Sequence, residues 1–259
     1  MAWPSGVLIV SYLPLLAGLV RQWASDPDMS HGFFVLPVAG FIAWRGRAEL
    51  AAMSAAPNWW GLAIAVLGAA QMLLGTLAAQ VFMARTALVV SLTGLVLFAG
   101  GTRALRCLAF PLLLLLFLFP IPAIVYARVT LPLQILASAT AEAILNWIGI
   151  PVLRAGNILE LPHERLSVIE ACSGIRSLMS LAFLALVYGY FFERRASVRL
   201  LLLAVTVPIA IGANAARIAA MGLFGGGLHL LQGWVLFTVT LGMLVAAHQV
   251  LRRFRYAIL

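Results

Sequence analysis

Long apolar runs, separated by short gaps that carry arginine, leave this 259-residue chain few ways to fold. A hydrocarbon layer about 30 Å thick is crossed by about 20 residues of helix, and in lipid only helices and closed barrels satisfy their own backbone hydrogen bonds. Eight runs are candidate spanning helices, at residues 6–20, 30–46, 59–78, 82–100, 104–120, 172–191, 200–221 and 229–251. Composition agrees, with 64% hydrophobic residues, 10% charged residues and a mean hydropathy of +1.07. The expected fold is all-α and polytopic, a single integral membrane domain over residues 1–259.

The formal charge of +9 comes entirely from arginine on the basic side. Four clusters lie in short gaps: Arg45 and Arg47; Arg103 and Arg106; Arg194, Arg195 and Arg199; and Arg252, Arg253 and Arg255. The positive-inside rule explains them and places all four, with both termini, in the cytoplasm. Clustering at helix ends in this way excludes a nucleic-acid partner. The opposite side receives Arg21, Arg85, Arg128, Arg154 and Arg165, beside Asp26, Asp28, Glu160, Glu164 and Glu170. The first run reads as a helix and not a cleaved leader, because MAWPSG carries no basic residue and no small-x-small site follows.

Residues 121–149 are also apolar, but a crossing there would put the Arg194 cluster on the wrong side. Prolines at 120, 122 and 132 mark a break, and Arg128, Thr130, Gln134, Ser138, Glu142 and Asn146 track one helical stripe. The segment is therefore expected to be a helix lying in the outer interface. A bundle helix paired with a second short crossing is the alternative. Next comes the longest polar gap, 150–171, where Gly156-Asn157 and Pro162-His163 predict a small hairpin over the outer mouth, before the sixth spanning helix.

Three residues that are costly or reactive in a bilayer converge on that outer face. Cys172 opens the sixth helix, where the positive end of the helix dipole and unpaired amides favour thiolate. Arg217 lies about 6 Å below the outer end of the seventh, four residues from it, and a charge inside the bilayer usually marks function. His229 opens the eighth. A thiolate, an imidazole that titrates near neutral pH and a guanidinium suit nucleophilic chemistry at a carbonyl. One Cys and one His on the relevant face, without a third ligand at metal spacing, argue against zinc, and no metal or other cofactor is expected. Cys107, near a cytoplasmic helix end, reads as packing and is on the wrong face to form a disulfide with Cys172. His163 and His248 suggest no role. Ser173 and Ser177 either permit close helix contact or line the site, and Arg176 either snorkels outward or contacts substrate.

ACSGIRS around Cys172, NAAR ending at Arg217 and HLLQGW from His229 resemble the exosortase and archaeosortase family of membrane cysteine transpeptidases. DPDMSHGFFVLP, with Ser30, His31 and Gly32, and the eight-helix layout also look like the bacterial branch. The resemblance implies Cys172 as nucleophile, Arg217 as its essential partner and His229 as the third member. It also implies substrates that are exported proteins ending in a short motif such as Pro-Glu-Pro, a transmembrane helix and a basic tail. Glu170, Ser173, Arg176 and Asn214 are expected to support the site or bind substrate, and His31 to serve structure or substrate gating. The competing classes are a transporter, with Arg217 and His229 along a polar pathway, and a non-catalytic factor in envelope or exopolysaccharide assembly. Acidic residues are missing from the spanning segments and no paired interrupted helices occur, which disfavours ion-coupled transport.

Overall fold

The computed structural model describes residues 2–54, 56–162, 165–168, 175–224 and 229–257, with backbone alone at 2–10, 27, 229–234 and 254–257. It divides into two compact units, Met1–Pro122 and Ala123–Leu259.

The first unit holds α1 (Ala2–Ser25), α2 (Gly32–Arg45), the short α3 (Arg47–Ala52), α4 (Trp59–Leu77) and α5 (Val81–Leu114), the last closing in a 3₁₀ turn at Leu115–Leu118. Its tightest contact is between α4 and α5. Gly61, Gly68 and Gly75 recur every seven residues and turn one bare stripe of α4 toward the next helix. A Cβ on Gly75 would lie 2.5 Å from the Ala84 amide nitrogen, and one on Gly61 or Gly68 would collide with the backbone of Phe98 or Ser91. Small residues let helices approach closely where lipid supplies no hydrophobic drive to pack. The other face of α4, with Leu62, Val66, Leu67, Leu73 and Leu74, is exposed as a lipid-facing surface would be.

α5 is continuous by hydrogen bonding but breaks at Gly101, whose φ of 72° and ψ of −168° lie outside the helical region. The chain reverses there. Adjacent residues of α1 demonstrate it: Gln22 accepts from Arg85, and the Trp23 indole donates to the Leu118 carbonyl at 3.2 Å. In a straight helix residues 85 and 118 would be about 50 Å apart. The two arms of α5 therefore correspond to the separate runs expected at 82–100 and 104–120. Positive φ and the Ala56 carbonyl pressed against Gly101 leave no room for a side chain. The reversal gathers Arg45, Arg47, Arg103 and Arg106 at one end of the unit, where Cys107 sits 3.9 Å from Glu49. Trp44, stacked beneath Arg47 at 3.7 Å, together with Trp59 and Trp60, gives that end the aromatic and basic character of a membrane interface.

The second unit contains α6 (Ala123–Trp147), a three-stranded antiparallel sheet of β1 (Leu153–Ala155), β2 (Ile158–Glu160) and β3 (Arg165–Ser167), then α7 (Ile175–Phe192), α8 (Ala196–Phe224) and α9 (His229–Ala257). The expected hairpin turns at Gly156-Asn157 as predicted and gains a third strand. Its inner face buries Val152, Leu159 and Val168 against Ala137, Ala141 and Leu145 of α6 and Ile218 and Ala219 of α8. The sheet thus sits on the C-terminal ends of both helices.

The all-α, polytopic expectation holds, and two of its details differ. Where eight runs were expected, six helical stretches among the described residues are long and apolar enough to cross a bilayer by length and composition: α4, Val81–Leu118, α6, α7, α8 and Val235–Arg253 of α9. That count treats the two arms of α5 as one, leaves out α1, and leaves out α2 because its 14 residues rise only about 21 Å. The second correction concerns α6. Only part of its polar stripe faces outward: Arg128 and Asn146 are exposed, whereas Thr130, Gln134 and Ser138 are buried, Glu142 pairs with Arg154 at 2.7 Å, and Asn146 accepts from the Val152 amide at 3.3 Å. Gln134, Glu142 and Asn146 are polar partners of the strands and the residues flanking them, a cause that periodicity alone does not reveal.

Gly68→Leu should destabilise the protein by ~1–3 kcal/mol or prevent its accumulation, through overpacking against Ser91. Gly40→Leu, where a Cβ meets nothing within 4 Å, should melt within a few degrees of wild type in the same detergent.

Candidate active site

α7 and α8 form an antiparallel hairpin joined by Glu193–Arg195, with Gly189 lying against Arg199. Because the two helices run antiparallel, the start of α7 and the C-terminal half of α8 lie toward the same end of the pair. Asn214 and Arg217 stand three residues apart and share a face of α8. Asn214 is 4% exposed and Arg217 is half-buried. α8 runs to Phe224, so Arg217 lies about 10 Å from its end, deeper than the sequence suggested. Ile218 and Ala219, the next two residues, are packed under the sheet with Val168, which immediately follows β3. Arg176 stands half-buried in the first turn of α7. α9 begins at His229, with four residues between it and the end of α8.

One end of the second unit therefore gathers the start of α7, the Asn214–Arg217 turn, the start of α9 and the sheet. Cys172, Ser173 and Glu170 lie outside the described residues, as does His163, and of His229 only the backbone is described. His31 belongs to the first unit. It is 7% exposed, and its Nε2 is 3.1 Å from the Phe117 carbonyl, beside the Trp23 bond to Leu118. Carbonyls at the end of a helix have no intrahelical partner, so His31 and Trp23 cap the last turn after α5. The indole of Trp23 packs directly over Gly32. These are the contacts of His31 and Gly32 within the first unit.

The opposite end of the second unit holds a cluster that sequence reasoning passed over. His248 is 1% exposed, its Nδ1 lies 2.9 Å from the Tyr188 hydroxyl, and its Nε2 lies 3.5 Å from Glu193. The other carboxylate oxygen of Glu193 accepts from the Arg194 and Arg195 amides at 2.8 and 3.0 Å, and its backbone carbonyl accepts from the Arg199 side chain. Glu193 thus ties the end of α7 to α9 through its carboxylate and to the first turn of α8 through its backbone carbonyl. The only sequence signal was an acid standing alone before an arginine cluster.

A family model described as transmembrane exosortase (Exosortase_EpsH) matches residues 23–246. Comparison with curated proteins and with solved structures gave no match.

Glu193→Leu should destabilise the protein by about 3 kcal/mol, because it removes the acceptor facing Nε2 of buried His248 and that of two part-buried amides. Glu193→Gln, which keeps an acceptor oxygen, should lose less than half as much. Thermal unfolding of both purified variants measures the difference.

Proposed function

Because the chain belongs to the transmembrane exosortase family, we propose that it is a membrane-embedded cysteine transpeptidase that cleaves the C-terminal sorting signal of exported proteins. The observation that carries the reading is the family match itself, which runs through Cys172, Arg217 and His229. A second one supports it. Val168 shares a core cluster with Ile218 and Ala219, which directly follow Arg217, and Cys172 is four residues further along the chain.

In the proposed reaction the Cys172 thiolate attacks the carbonyl carbon of the scissile peptide bond. Arg217 stabilises first the thiolate and then the oxyanion of the tetrahedral intermediate. Its collapse breaks the C–N bond, His229 delivers a proton to the departing amine, and a thioester remains on Cys172. Water or an incoming amine, deprotonated by His229, then displaces the sulfur and restores the thiolate. Glu170, Ser173, Arg176 and Asn214 position these groups or the substrate. The mechanism requires no metal or organic cofactor.

The substrate's transmembrane helix and basic tail would hold its motif just outside the bilayer, supplying the proximity that a peptide free in solution lacks. The accompanying topology takes α1, α2, α4, the two arms of α5, α7, α8 and α9 as crossings in one integral membrane domain of residues 1–259. All arginine-rich ends and both termini are then cytoplasmic, in the inner membrane of a bacterium, and the site is extracytoplasmic.

Cys172→Ala and Cys172→Ser should abolish processing of a tagged exported protein bearing a motif, a helix and a basic tail, when the two are co-expressed. Arg217→Ala should lower processing by about 100-fold or more, the usual loss of an oxyanion-stabilising group. Unchanged processing by both Cys172 variants would overturn the assignment.

A further inference from the structure

We infer that the free edge of β3 is the docking strand for the extended peptide of the substrate, which pairs with the backbone of Arg165 and Ser167. The inference rests on the peptidase reading above and adds where and how the peptide is held.

The pairing register determines which groups are on offer. β2 and β3 are antiparallel, with Ile158 opposite Ser167, Leu159 opposite Leu166 and Glu160 opposite Arg165. The Val168 amide donates to the Asn157 carbonyl at 2.9 Å, which makes that pair a hydrogen-bonded one. Such pairs alternate with non-bonded ones along an antiparallel ladder, so Leu166 bonds inward to β2 while Arg165 and Ser167 turn their N–H and C=O groups to the outer side. β3 ends the strand order, and both of these residues are exposed. No strand among the described residues pairs with that side. Leu166, between them, packs down into the sheet core, which holds the strand extended and its edge aimed outward.

An unpaired strand edge is a template for another extended chain, and peptide-binding domains use it because backbone bonds grip any sequence while alternate side chains select. The sheet's second edge, β1, offers the same chemistry in the wrong place. It leads back to α6, and its Arg154 side chain is engaged with Glu142 and the Gly156 carbonyl. β3 instead runs on to Cys172 five residues after Ser167. A peptide laid along β3 lies beside the strand that precedes Cys172 in the chain, so pairing extends the peptide next to the segment that leads to the nucleophile.

Proline tests the edge without disturbing the inner ladder, since an outward N–H at a sheet edge is the position a strand gives up at little cost. Membranes of cells co-expressing each variant with a tagged exported protein that ends in a Pro-Glu-Pro segment, a transmembrane helix and a basic tail supply the assay. Ser167→Pro should cut the processing rate by about tenfold, the worth of one to two hydrogen bonds, while Ser167→Ala stays within twofold of wild type. As a readout independent of turnover, Arg165→Cys and Leu153→Cys are each placed in the Cys172→Ala background, and disulfide capture is scanned with single cysteines along the substrate segment. Capture at residue 165 well above that at residue 153 is expected, and it decides the matter if Ser167→Pro fails to accumulate. Normal processing by Ser167→Pro, or capture at residue 153 equal to or above that at 165, would overturn the docking edge and leave the peptidase intact. Processing that survives Cys172→Ala would instead remove the peptidase reading, and the docking proposal with it.

Discussion

Inside a bilayer no water is present to satisfy a backbone amide, and most of this architecture follows from that one constraint. The apolar runs become helices because only a helix closes its own hydrogen bonds there. Where the chain leaves helical geometry it does so on particular terms. At Gly101 the backbone turns back beside the Ala56 carbonyl, and in the second unit the three short strands lie on the ends of α6 and α8, where residues such as Asn146 and Asn157 can supply partners. Asn157 is instructive: its side-chain amide donates to the Val168 carbonyl at 3.0 Å and to Gln134 at 3.4 Å, linking sheet and helix through one residue.

The same constraint determines how helices meet. With lipid as apolar as leucine, burial drives little association, so contact has to come from close approach or from polar pairing. The first unit uses close approach, in the glycine stripe of α4 against α5. The second unit uses polar groups at both ends of the α7–α8–α9 bundle. Glu193, Tyr188 and His248 tie one end, and Asn214 and Arg217 stand at the other. The two ends have opposite chemical character. A buried carboxylate organises the end with the arginine cluster, whereas the end beneath the sheet has a guanidinium and a carboxamide, groups that donate toward developing negative charge.

Much of the fold was legible in the sequence because helix length and apolar content are local properties. The break between residues 100 and 104, the turn at Gly156-Asn157 and the approximate ends of α7, α8 and α9 were all readable. α6 was misread for a definite reason. A stripe of Thr130, Gln134, Ser138, Glu142 and Asn146 has the same periodicity whether it faces water or protein, and only the sheet folded over it distinguishes the two. Likewise His31 stood out as a histidine near a helix start, yet its partner is a carbonyl 86 residues away.

By itself the sequence determined that the chain is a helical membrane protein, which ends carry the arginines, and that a sulfur, a guanidinium and an imidazole fall near the ends of three successive helices. Hydropathy, charge and motif spacing are written residue by residue, and they need no partner to be read. Tertiary structure alone decided the reversal of α5 through contacts with α1, the burial of Thr130, Gln134 and Ser138 on α6, the extra depth of Arg217, the outward aim of the β3 edge, and the union of Glu193 with His248 across 55 residues. Each of these depends on which distant groups come within hydrogen-bonding or packing reach, and that information exists only once the chain has folded.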